Sequence, residues 1–237
     1  MRWFVRSGLR VLMYHRVSLT YGDELTVTTA QLAQQLRWLL DQGFRGVTAA
    51  DVLGGVLPER PLLVTFDDAY VDTLEMALPV LRELQVPGVV FVPTAFVGRK
   101  SSWDADAHPL MDAAQICALA ARGFEIALHS HAHENYAGLT AAQIADDVRM
   151  SFSVFREIGL TPLPALAYPY GGRPRSATAR TAMKAALREC GVRLAFRIGN
   201  RINRLPLADP FEIQRLSVRG DESFGAFQRR IRWGRLF

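Results

Sequence analysis

Short apolar runs alternate with longer segments of helical period along nearly the whole chain. Residues 10–14 read as a strand, 62–66 form a largely apolar run between Pro61 and Asp67, and 89–92 lie between Pro87 and Pro93. Phe124, Ile126 and Leu128 alternate toward His129, and residues 165–168, 192–196 and 212–216 complete seven candidate strands. Thr28-Thr29-Ala30-Gln31 has the form of a capping box, and Leu32, Leu36, Leu39 and Leu40 follow it at helical spacing as far as Gly43. Further helices are expected over residues 71–84, 113–122, 140–158 and 175–189. Apolar strands alternating with helices predict a parallel sheet covered on both faces. Seven strands in a chain of 237 residues suit one closed or nearly closed α/β barrel better than two domains. A doubly wound open sheet is the alternative, but no glycine-rich nucleotide loop supports it.

In parallel α/β folds the chemistry sits at the carboxyl ends of the strands. The candidate strands end in Tyr14-His15, in Asp67-Asp68, in His129-Ser130-His131-Ala132-His133 and in Tyr168-Pro169-Tyr170-Gly171. Four of the five histidines therefore fall at two strand ends, a grouping that a satisfied core histidine does not explain. Two imidazoles and one carboxylate, His129, His133 and Asp68, make a ligand set with open positions, the pattern of a catalytic metal site. A metal there activates water and polarises a carbonyl. Asp67 can then accept the proton of that water, and His15, from another strand end, can protonate a leaving group. Each piece alone has a plainer explanation: an Asp pair after a strand as a helix cap region, and His-x-x-x-His as two solvated histidines. His108 belongs to a polar loop, and His131 is given no role.

Composition narrows the function classes. Apolar residues make up 49% and charged residues 22%, as in an ordinary globular protein, which excludes a disordered or fibrous chain. No apolar stretch reaches the roughly 18–20 residues of a membrane-spanning helix. Residues 1–6 carry charge without the apolar core of about 7–15 residues that marks a secretory signal, so a cytoplasmic location is expected. Cys117 and Cys190 make neither a disulfide framework nor a thiolate site. The net charge of +5 is uneven: residues 1–172 hold 13 basic and 18 acidic side chains, and residues 173–237 hold 15 and 5. An anionic partner near the carboxyl-terminal part follows as one reading, a merely soluble basic face as the other. Residues 221–237 form a basic tail. Phe224, Phe227 and Ile231 recur in it at helical spacing, interleaved with Arg229, Arg230, Arg232 and Arg235 and followed by Trp233, Leu236 and Phe237. Such a helix either lies on an anionic membrane face or docks on the barrel with its arginines in solvent. Nucleic-acid binding ranks last, because no known module matches.

Three motifs in order, each after a candidate strand, resemble the polysaccharide deacetylases of the NodB-homology type, carbohydrate esterase family 4. Thr65-Phe66-Asp67-Asp68 resembles the T-F-D-D motif, His129-Ser130-x-x-His133 the H-[S/T]-x-x-H metal motif, and Ala167-Tyr168-Pro169-Tyr170-Gly171 the R-x-P-Y groove motif. The likeness runs from about residue 10 to residue 220. It implies a single catalytic domain with a distorted (β/α)7 barrel and metal-dependent removal of N-acetyl groups from amino sugars. By position, Asp67 becomes the general base and Asp68, His129 and His133 the ligands of one divalent ion, zinc first, with cobalt, nickel or iron also suited. The backbone N–H of Tyr170 becomes an oxyanion donor.

The departures matter. Ala69 stands where the family usually has Gly, and Ala167 replaces the arginine that usually orients the base. No D-x-x-D-W and no L-x-H motif follow residue 171. Leu12-Met13-Tyr14-His15 instead resembles the L-x-H element moved to the amino end, as in the permuted subgroup that acts on poly-N-acetylglucosamine. His15 is thus expected as general acid, and Arg215 as the replacement for the orienting arginine. Trp103-Asp104 either line the substrate groove or pack on the barrel. The expected partner is an N-acetylated amino sugar in a polysaccharide or its precursor. A lipid-linked precursor suits a cytoplasmic enzyme, for deacetylation or deformylation. The competing class is a barrel that binds carbohydrate without catalysis, favoured by Ala167 and the missing late motifs. The intact Asp67, Asp68, His129 and His133 set argues against it.

Overall fold

The computed structural model describes residues 7–234. In chain order the elements are β1 (Arg10–Tyr14), β2 (Arg16–Ser18), β3 (Thr26–Thr28), α1 (Thr29–Asp41), β4 (Arg45–Gly46), α2 (Ala49–Gly54), β5 (Pro61–Phe66) and α3 (Leu78–Glu83). They continue with β6 (Gly88–Val92), α4 (Ala113–Ala121), β7 (Glu125–Leu128), α5 (Ala141–Glu157), β8 (Ala165–Ala167), α6 (Ala177–Glu189), β9 (Leu194–Ile198), β10 (Ile213–Ser217) and α7 (Phe224–Trp233). The large sheet runs β1-β10-β9-β8-β7-β6-β5, and β5 pairs back onto β1, so seven parallel strands close on themselves. Two-residue β4 adds to β5 outside the closed ring, and β2 and β3 form a separate parallel pair.

Alternation along the strands separates two apolar layers. Leu63 of β5, Val89 and Phe91 of β6, Ala127 of β7, Ala165 and Ala167 of β8, Phe196 of β9 and Ile213 of β10 fill the barrel interior. Leu62, Val64 and Phe66 of β5, with Ile126, Leu128 and Leu166, face outward against the helices. The same period carries polar side chains inward at the carboxyl ends. Asp67 follows the inward positions Leu63 and Thr65, His129 follows Ala127, and Arg215 follows Ile213.

The helices start where the sequence predicts. Thr28 caps α1 with the reciprocal Gln31 bond, and Asp112 and Thr140 build equivalent capping boxes before α4 and α5. The seven strands appear, with β9 displaced: residues 192 and 193 lie between the turn after α6 and the strand, which begins at Leu194. The helix expected over 71–84 is broken into a π turn at Thr73–Ala77 followed by α3. Strands β2, β3 and β4 and helix α2 are too short to leave a periodic signature.

Helix α7 docks on the barrel, the second of the two readings of the tail. Phe227 and Ile231 are buried, Phe224 and Phe227 meet Trp38 of α1 edge-on at 6.0 and 6.1 Å, and Arg10 Nε donates to the Ile231 carbonyl. The apolar stripe of the helix packs on the barrel. Arg235, Leu236 and Phe237, invoked for the membrane reading, lie outside the described residues. Among the described residues no helix is long and apolar enough to cross a membrane.

Candidate active site

The carboxyl ends of β1, β5, β7, β8 and β10 converge on one rim. Asp67, the first residue past β5, is buried and gripped by Arg215 from β10, which donates from Nη1 to Oδ1 at 2.5 Å and from Nη2 to Oδ2 at 2.7 Å. Arg215 is fully buried. Its guanidinium lies 5.5 Å from the centre of the Phe91 ring, and Thr65 Oγ1, itself bonded to the Leu12 carbonyl, is a further neighbour at 3.5 Å. The inward positions of β7 and β8 are small, Ala127, Ala165 and Ala167. Burial by itself would raise the Asp67 carboxyl. Arg215, His129 and His15 outweigh that and hold it below the usual carboxylate value.

Asp68 turns the other way. Its backbone adopts φ 71°, and Ala69 follows at φ 58°, a left-handed pair that sends the Asp68 side chain toward the loop after β7. A glycine would sit more easily at the Ala69 position, since this region costs an L side chain about 1–2 kcal/mol. Asp68 Oδ1 stands 3.3 Å from His129 Nε2 and 3.1 Å from His133 Nε2. His129 Nδ1 lies 2.8 Å from the Ala167 carbonyl, which makes Nδ1 the protonated nitrogen and leaves the Nε2 lone pair facing Asp68. His133 Nδ1 meets the Tyr170 hydroxyl at 3.2 Å. One atom from each of Asp68, His129 and His133 lies within 4.8 Å of the others.

This set fits a divalent ion. Asp68 Oδ1 is buried without a hydrogen-bond partner among the described residues, although two ring nitrogens face it. Ligand atoms of a tetrahedral ion about 2.0–2.1 Å away stand about 3.3 Å apart, close to the two spacings seen. Each imidazole is held through its other nitrogen, as metal-binding histidines are. Asp67 Oδ2 lies 3.8 Å from His129 Nε2, beside the ligand set rather than within it. The imidazoles are driven apart electrostatically. Burial lowers both, but Asp67 and Asp68 reverse this for His129, whereas His133, next to His129, stays lowered.

The His129–His133 loop is shaped by a residue that the sequence reading missed. Asp147 of α5 accepts from Ser130 Oγ at 2.8 Å, from the His131 and Ala132 N–H groups, and from the Tyr136 hydroxyl. One carboxylate thereby pins a turn in which Ser130 and His133 have φ 65° and 55°. The signal was an aspartate on the helix face that carries the apolar Ile144, Val148 and Phe155. His131 points away to Thr94 Oγ1 at 2.9 Å. His15 continues the inward register of β1, is near enough to lower the Asp67 carboxyl, and has an unpartnered, buried Nδ1 among the described residues. Tyr170, at φ 58° and 57% exposed, sits on the rim. Trp103 stacks on the His133 ring with centroids 3.8 Å apart.

Comparison with known proteins places the chain among similar sequences and folds. The YxkH protein of Bacillus subtilis (strain 168), which carries a polysaccharide deacetylase name, is 28% identical over 170 residues, 70% of this chain and 57% of that protein. The poly-beta-1,6-N-acetyl-D-glucosamine N-deacetylase of Escherichia coli (strain K12) is 30% identical over 90 residues, 35% of this chain and 13% of that protein. The chain thus spans little more than half the length of the curated relatives it matches, and less of some. Among solved structures, IcaB from Ammonifex degensii superposes with a TM-score of 0.79 at 25% identity over 97% of both chains. The Streptococcus pyogenes deacetylase PplD, solved with acetate, shares the fold with a TM-score of 0.77 at 15% identity, over 96% of this chain and 99% of that one. The polysaccharide deacetylase family model matches residues 54–195. With the closed barrel of seven parallel strands, these findings establish that the chain belongs to the polysaccharide deacetylase family, of NodB-homology type.

Proposed function

We propose that this chain is a metal-dependent hydrolase that removes N-acetyl groups from the amino sugars of a polysaccharide or its precursor. The observation that carries this reading is the Asp68, His129 and His133 set beside an Asp67 carboxylate held ionised by Arg215. A divalent ion held by the three ligands, zinc being the first candidate, supplies Lewis acidity toward the acetyl carbonyl and lowers the pKa of water from about 15.7 toward 7.

The chain's own groups do the rest. Asp67 takes a proton from the attacking water on the oxygen side that Arg215 leaves open. The water oxygen bonds to the amide carbon, and the backbone N–H of Tyr170 donates to the oxyanion that develops there. His15 then gives its proton to the sugar nitrogen as the C–N bond breaks, releasing the free amine and acetate. Arg215 fixes the orientation of Asp67 and keeps it charged before reaction. In this reading Ala167 is compensated in space, which removes the main reason for a barrel that only binds sugar. The name of the Escherichia coli relative supports an N-acetylglucosamine polymer as the substrate class.

The test is metal content of the purified protein together with acetate release from N-acetylglucosamine oligomers, for the native chain and for Asp67→Asn. Bound metal in both proteins, with acetate release reduced about 100-fold or more in the variant, is the expected result. Absence of metal uptake after zinc is added would end this mechanism.

A further inference from the structure

Four side chains that the chemistry above leaves unused connect β2 to the ligand His133. Arg16 of β2 is buried, and its Nη1 lies 2.9 Å from Asp104 Oδ1. Its Nε donates to Thr26 Oγ1 at 3.1 Å, and its guanidinium sits 5.4 Å from the centre of the Tyr70 ring. The Tyr70 hydroxyl donates to Asp104 Oδ2 at 2.6 Å and accepts from Trp103 Nε1–H at 3.2 Å. The direction of each bond is fixed, because an indole N–H only donates and an ionised carboxylate only accepts. Trp103 also meets Phe96 edge-on at 4.9 Å.

The far end of this chain is the His133 ring, stacked on Trp103 at 3.8 Å with 30° between the planes. On its other side Tyr170 holds Nδ1. His133 sits on a left-handed residue of a turn, at φ 55°. The stack and the Tyr170 contact leave Nε2 aimed at Asp68 Oδ1. A ligand held in its binding rotamer loses less entropy when the ion arrives, and outer partners of this kind are worth about 10–100-fold in metal affinity.

We propose that Trp103 is a positioning residue for the His133 imidazole, and that Arg16, Asp104 and Tyr70 set the site's affinity for its divalent ion by holding Trp103 in the stack. The proposal rests on the metal site described above and adds a second, distant control of it. Arg16 touches none of the three ligands, yet its loss releases Asp104, then Tyr70, then Trp103.

The experiment titrates the metal-free full chain with cobalt(II), read by its visible absorption, and with zinc in competition with a chromophoric chelator, without substrate. The variants are Trp103→Leu, Trp103→Phe, Arg16→Met and the double Arg16→Met/Trp103→Leu. Far-ultraviolet circular dichroism and the melting temperature confirm folding. Trp103 is partly exposed, so its variants keep the test decisive even if Arg16→Met does not fold. Trp103→Leu and Arg16→Met are each expected to weaken the ion about 10–100-fold and to alter the cobalt spectrum. Trp103→Phe, which keeps a ring and loses the N–H, falls between. The double variant binds no more weakly than Trp103→Leu, because both act through one chain of contacts. Folded variants that bind as tightly as the native chain, or a double variant whose loss is the product of the single losses, would overturn the relay alone. A native chain that takes up neither ion would overturn the metal reading and the relay with it.

Discussion

Arg215 and Asp67 meet across the inside of the barrel in a two-pronged contact, 2.5 and 2.7 Å, although 148 residues separate them in sequence. A guanidinium has two parallel N–H donors matched to a carboxylate, and an ammonium does not. Arg215→Lys therefore keeps the charge and loses the orientation. Its expected signature is a fall in kcat of about 100-fold with KM and metal content little changed, since small misplacements cost that much. Steady-state kinetics beside metal analysis check it, and an unaltered kcat removes the orienting role.

Asp147 holds the His129–His133 loop through Ser130, His131, Ala132 and Tyr136 rather than through the two imidazoles. Asp147→Asn keeps one acceptor oxygen but turns an amide N–H₂ toward the Ser130, His131, Ala132 and Tyr136 donors. Stability is expected to fall by about 2–3 kcal/mol, with weaker metal retention during dialysis. Chemical denaturation gives the first quantity and metal analysis after dialysis the second. A variant as stable as the native chain would mean that the turn holds itself.

Asp72 gives the stability a pH dependence of stated sign. Burial pushes its carboxyl up from an ordinary 3.8 to about 7, against the Val17 backbone bond and Arg16. Below pH 4 the group is protonated whether the chain is folded or not, so it has no effect. Between pH 4 and 7 the unfolded chain gives up this proton while the folded chain keeps it, so stability falls as pH rises. Above pH 7 the loss is complete and constant. Asp72→Asn should therefore gain on the native chain progressively across that window, by up to about 4 kcal/mol. Parallel denaturation curves at pH 4.5, 6 and 8 make the comparison, and a gain independent of pH would contradict it.

Helix α7 is predicted to be structural. Phe227→Ala removes a fully buried ring beside Trp38 and should cost about 3–5 kcal/mol. Vesicles of anionic lipid should recover no more of the native chain than of this variant under conditions where both are folded. A variant with native stability would return the helix to solvent or to a membrane face.

The sequence by itself determined the seven barrel strands, most helix starts, and the strand-end residues Asp67, Asp68, His129, His133 and His15. All of these are local: strand period, capping chemistry and the identity of the residue after an apolar run depend on near neighbours. The sequence also offered Arg215, but only as a replacement suggested by an alanine at position 167. Tertiary structure decided what depends on closure of the barrel. It brought Arg215 from β10 to Asp67 of β5, and Asp147 from the middle of α5 to the loop after β7. It laid Trp103 on His133, and it spent the apolar stripe of α7 on Trp38. Left-handed backbone at Asp68 and His133 turns those side chains toward each other, a conformation that neighbouring residue types do not dictate. Contacts between residues far apart in sequence follow no periodicity. Only the spacing of closed, twisted strands fixes which side chains share the rim.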